Sequence, residues 1–114
     1  MLDKKEFKSI EKELLDYEKK RESYIQLSRD IIRISKKIIY SVHRNEMNEV
    51  SKYIIKIKDM MTKLPNEVSE MGIINVAKYE YVEAICFYEF VKNKRIPTKK
   101  DLKIDVDAYL LGLA

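Results

Sequence analysis

Tyr79-Glu80-Tyr81-Val82-Glu83-Ala84 sets two carboxylates three residues apart in a stretch that is otherwise almost wholly apolar. The surrounding run, Glu67 to Lys92, carries Val68, Ile74, Val82, Ile85 and Val91 on every side of a helical projection. A helix apolar all round is expected to be central, so this segment predicts the middle of an all-α fold. Glu80 and Glu83 share a face with Ile73, Val76, Ala77, Ala84 and Phe87, because positions three and four apart are neighbours on a helix. Acidic side chains are rarely buried without a partner, and two together repel unless a cation or a shared proton joins them. Hard oxygen ligands suit Mg2+, which makes Glu80 and Glu83 candidate metal ligands in a cleft between the first and third helices. The plainer alternative puts both at a helix edge, reaching water.

Outward from that run, the chain divides at few places. It has 114 residues with two Gly and two Pro, 46% hydrophobic and 37% charged. That composition suits one helical domain, here 1–114, an antiparallel bundle with a long first helix. No Gly or Pro occurs before Pro65. From Asp3 to Arg44, Phe7, Ile10, Leu14, Tyr17, Tyr24, Ile31, Ile38 and Val42 follow the three-four alternation of a helix seam, interrupted by Arg21, Ser28 and Ser35. Unbroken, such a helix is about 60 Å long, more than a core of this size can cover, so self-association is expected. Asn45 is placed as the cap of a second helix with the stripe Met47, Val50, Ile54, Ile57, Met61 and Leu64, ended by Pro65. Asn66 is placed as the cap of the third. Thr98 with Asp101 reads as a capping box, and Asp105 with Asp107 as a helix start rather than a metal pair. The apolar end, Tyr109 to Ala114, reads as a segment cut off.

No 18-residue apolar run or signal-peptide core is present, so a cytoplasmic protein without a membrane partner is expected. Cys86 and His43 each stand alone, excluding an internal disulfide and any site built on several histidines. The net charge of +4 is unevenly spread: residues 1–22 are neutral, residues 23–58 carry +5, and residues 59–114 carry −1. Arg29, Arg33, Lys36, Lys37 and Arg44 fall on one side of the first helix. Such a line can bind phosphates through charge-assisted bonds; a solvated lysine-rich face is the simpler reading.

Three motifs resemble one family in order and spacing. Leu27-Ser28-Arg29-Asp30-Ile31, followed by Ser35-Lys36, Ile39 and His43-Arg44, is similar to the first-helix pattern of the translin family. Glu80-Tyr81-Val82-Glu83-Ala84 resembles its Gln-Glu-Tyr-Val-Glu-Ala motif, with Tyr79 in place of Gln. Asp107-Ala108-Tyr109-Leu110-Leu111-Gly112-Leu113-Ala114 resembles its Asp-Tyr-Leu-Leu-Gly-(Val/Leu)-Ala motif. The resemblance is strongest to translin-associated factor X and its archaeal relatives. It implies an all-α subunit that assembles with copies of itself or related translin-like subunits and binds single-stranded RNA or DNA. Members like factor X are Mg2+-dependent endoribonucleases, whose acidic site would here use Glu80 and Glu83 together with an Asp following the last motif. The chain ends at Ala114, so it reads as C-terminally truncated, with slight or no cleavage expected of it alone. The alternative reading is a non-catalytic helical subunit that pairs through its exposed seam.

Overall fold

The computed structural model describes residues 3–65 and 71–93. Three helices make up the described fold: α1 (Lys4–His43), α2 (Met47–Met61) and α3 (Gly72–Asn93). No strand occurs among the described residues. Asp3 starts α1 as an extended N-cap, its Oδ1 accepting from the Glu6 amide at 2.8 Å. Forty residues then run without a break, and the molecule is 65 Å long.

Asn45 does not cap α2. It ends α1: at φ 59° it takes the left-handed conformation, its amide bonds Val42 O at 3.0 Å, and the Glu46 amide bonds Ser41 O at 2.9 Å. That pair of bonds is a Schellman motif, which asparagine tolerates where most side chains do not. Glu46 takes the N-cap position of α2 with no side-chain bond. The reversal makes α2 antiparallel to α1. Thr62 closes α2, its Oγ1 donating to Asp59 O at 2.6 Å, so the helix stops ahead of Pro65. The placement of Asn66, and everything read from residues 94–114, lies outside the described residues.

At the far end of α1 the His43 ring meets Phe87 of α3, centroids 4.8 Å apart. The C-terminal ends of α1 and α3 therefore lie together, and the order is up-down-up. The core draws on Ile31, Ile34, Ile38 and Val42 of α1, Val50, Ile54 and Ile57 of α2, and Ile74, Tyr81, Val82 and Ile85 of α3. Fully burying one such aliphatic side chain contributes roughly 1.5–3 kcal/mol.

The expectation that α3 is central is corrected here. Helices α2 and α3 both pack on α1 and scarcely touch each other, so the C-terminal half of α1 is the shared strut. Ile73, Val76 and Phe87 stay half-buried, and Phe90 and Val91 are exposed. Among the described residues the N-terminal half of α1 packs on nothing: residues 3–23 are all exposed, Phe7, Leu14 and Tyr17 among them at 56%, 60% and 64%.

Candidate nucleic-acid interface and carboxylate pair

The buried positions of α1 define the opposite side by elimination. With Ser28, Ile31, Ile34, Ser35 and Ile38 inward, a step of 100° per residue turns Arg29, Arg33, Lys36, Lys37 and Arg44 away from the core. All five are exposed, along about 22 Å of helix. They are not equivalent. Arg33 donates to Asp30 Oδ1 at 2.8 Å, and Gln26 donates to the same oxygen at 3.1 Å. Arg44 donates to Tyr40 Oη at 2.6 Å, and its guanidinium sits 4.3 Å from the centre of the Tyr40 ring. Lys37 Nζ lies 5.9 Å from the Tyr53 ring of α2. Arg29 and Lys36 make no ion pair among the described residues. Sequence reasoning undervalued two members of this face. Asp30 neutralises part of it, and Tyr40, 57% exposed, adds an aromatic surface; spacings of three and four residues to Arg33 and Arg44 were the available signal.

On α3, Ala77, Tyr81, Ala84, Ile85 and Tyr88 face inward. Glu83 then falls half a turn from the centre of the buried face and is exposed, while Glu80 lies toward its edge, half-buried beside Ile73, Val76 and Phe87. The two share a face, as the spacing requires, but that face is turned away from α1. The enclosed cleft expected between the first and third helices is not formed by the described residues. The reason is periodicity: Ala77 and Ala84, which flank the pair, are fully buried, and turning the glutamates inward would take those alanines out. The structure also does not bring the basic line and the carboxylates together within one chain, because they sit on opposite outer sides of the α1–α3 pair.

Neither Glu80 nor Glu83 has an ion-pair partner among the described residues, and two such carboxylates suit part of a Mg2+ shell. No group of three or more His, Cys, Asp or Glu side chains comes together among the described residues to hold a metal. A further ligand would come from elsewhere. One turn on, burial, with the Glu89 carboxylate adding to it, pushes the Cys86 thiol up, so it is held neutral. Lys78 is buried at 2% exposure and holds a partner; nothing in its spacing distinguished it from the surface lysines.

These features define an all-α protein with a solvent-facing basic helix and an acidic pair on a second helix. The same architecture occurs in the crystal structure of apo-NeC3PO, with a TM-score of 0.87 and 26% identity over 99% of this chain and 62% of that one. The chain is related to the translin family, on the side of the translin-associated factor X/C3PO proteins. It is also 32% identical over 103 residues to an uncharacterized protein of Methanocaldococcus jannaschii, which covers 82% of this chain and 45% of that protein. The chain thus spans about half the length of that relative. No family model matches it. No helix among the described residues is long and apolar enough to cross a membrane.

Proposed function

We propose that the chain is a translin-like subunit that binds single-stranded RNA or DNA along the outer face of α1 and assembles with like subunits. The supporting observation is the exposed line Arg29, Arg33, Lys36, Lys37 and Arg44 on a scaffold shared with NeC3PO. Neutralising phosphates releases counterions, so affinity falls as salt rises. The exposed Tyr40 ring offers a stacking surface within the same line.

Glu80 and Glu83 would hold part of a Mg2+ shell in an assembled endoribonuclease. When bound, the ion supplies an acidified water and neutralises charge developing on the phosphate. Two carboxylates fall short of what Mg2+ needs to give up its hydration, so this chain alone is expected to bind strands and cleave them slightly or not at all. A single cysteine, with no second thiol in the sequence to pair with, suits a reducing compartment such as the cytoplasm. A second reading, a non-catalytic interaction subunit, is favoured by the bare apolar half of α1.

The test is anisotropy with labelled single-stranded RNA and DNA across a salt series, with and without Mg2+, alongside a cleavage assay. Steep salt dependence with little cleavage is the expected result. Absence of binding at low salt would leave the interaction subunit. Strong Mg2+-dependent cleavage, lost in Glu80→Ala with Glu83→Ala, would show that the pair suffices.

A further inference from the structure

The exposed basic residues of α1 do not all point the same way. Lys37 Nζ lies 5.9 Å from the centre of the Tyr53 ring, so the Lys37 side of α1 borders α2. At 100° per residue, Arg33, Tyr40 and Arg44 fall within about 60° of Lys37, whereas Arg29 and Lys36 lie about 80–100° round the helix. On α2, Lys56 follows Tyr53 by one turn and is exposed, with no ion pair among the described residues. Because α2 runs antiparallel to α1, Lys56 sits nearer the N-terminal end of α1 than Lys37 does. Arg44, Tyr40, Lys37, Tyr53 and Lys56 therefore follow one diagonal across the α1–α2 junction, and cations alternate with rings along it.

We infer that this diagonal is a base-stacking site for a single-stranded polynucleotide. Tyr40 and Tyr53 take bases, while Arg44, Lys37 and Lys56 take the phosphates beside them. The inference rests on the strand-binding reading above, and adds to it a second helix and contact with bases as well as charge.

Both rings already carry a cation on a face that a base would use. The Arg44 guanidinium sits 4.3 Å from the centre of the Tyr40 ring, and Lys37 covers Tyr53. An exposed cation–π contact is weak, and stacking of a base on an aromatic ring is stronger. A cation displaced from its ring is left beside a phosphate, which it binds through charge-assisted bonds. The exchange therefore favours the strand. A duplex keeps its base faces stacked inside and gains nothing from the rings. The nearby acids leave Lys56 free to act: Glu49 is engaged by Lys52 at 3.8 Å, and Asp59 by Lys63 at 3.7 Å.

Two plainer readings compete. One makes the Lys37–Tyr53 contact a tie between α1 and α2, yet the buried core already joins those helices, and a contact to an exposed lysine adds little. The other leaves the surface to be covered by more protein. Lysine and arginine are almost never fully buried unless paired, so a row of cations is a face that stays wet or takes an anion.

The test is anisotropy at low salt with a labelled oligothymidylate and with an abasic strand of the same length, which has the phosphates but no bases. The oligothymidylate should bind about tenfold tighter. Tyr53→Leu should remove most of that advantage. Lys56→Ala should weaken both strands alike and lower the salt slope by about one. Equal affinity of the parent chain for the two strands would overturn the inference, as would an undiminished advantage in Tyr53→Leu; either leaves the phosphate line of α1 standing. Lys56→Ala without effect would remove α2 from the site. Failure of the parent chain to bind either strand would sink the strand-binding reading itself. Tyr53 is half-buried, so circular dichroism must show Tyr53→Leu folded; if it is not, the strand comparison and Lys56→Ala decide.

Discussion

Ser28 and Ser35 lie fully buried in α1, and neither Oγ has a hydrogen-bond partner among the described residues. A buried hydroxyl left unpaired loses its hydration without replacement. Ser35→Ala is therefore expected to stabilise the fold by about 1 kcal/mol, seen as a higher urea midpoint. An unchanged or lower midpoint would show that the hydroxyl is satisfied in solution. Tyr81 makes a second prediction. Burial, helped by the neighbouring Cys86 thiol, pushes its phenol up to about 12 from the ordinary 10.0. Below 10.0 the phenol is protonated in both states; between there and about 12 the unfolded chain ionises first, so stability falls as pH rises. Tyr81→Phe should lose less stability than the parent over that alkaline range. On the basic face, Arg33 is already bonded to Asp30 while Arg29 has no ion pair among the described residues. Arg29→Ala should thus weaken strand binding more than Arg33→Ala, and Asp30→Asn should strengthen it. Equal losses in anisotropy titrations would mean that the Asp30 pair does not persist.

At the scale of the element, the reversal after α1 is the sharpest test of local chemistry. Asn45 occupies the left-handed region, where a β-branched residue is strained by about 1–2 kcal/mol. Asn45→Val should lower the urea midpoint accordingly, and Asn45→Gly should hold or raise it. The extent of α1 was legible because Asp3 is a capping residue and nothing breaks the helix before Arg44. The role of Asn45 was not, since asparagine serves equally as an N-cap and as a left-handed C-terminal residue, and three residues of connection leave room for either. Helix α3 misled for another reason. Its apolar residues surround the axis, but periodicity reports which faces are apolar and says nothing about which are covered by this chain. Ile73, Val76 and Phe90 remain wholly or partly bare, and the same ambiguity hid the outward aspect of Glu83.

For the whole molecule, the division of α1 into a buried half and a bare half separates two kinds of stability. Since residues 3–23 are all exposed, removing the first 22 should leave the urea midpoint of a dilute sample nearly unchanged. A large fall would reveal contacts that burial does not register. The other half of the division lies in how the core is shared. Helices α2 and α3 each lean on α1 and scarcely on each other, so neither needs the other to stay docked. Amide hydrogen exchange should then show three tiers rather than one cooperative block: slowest around Ile31 to Ile38, with α2 and α3 opening as independent units above it. The molecule would breathe on either flank while its spine holds, one flank opening without first unfolding the other.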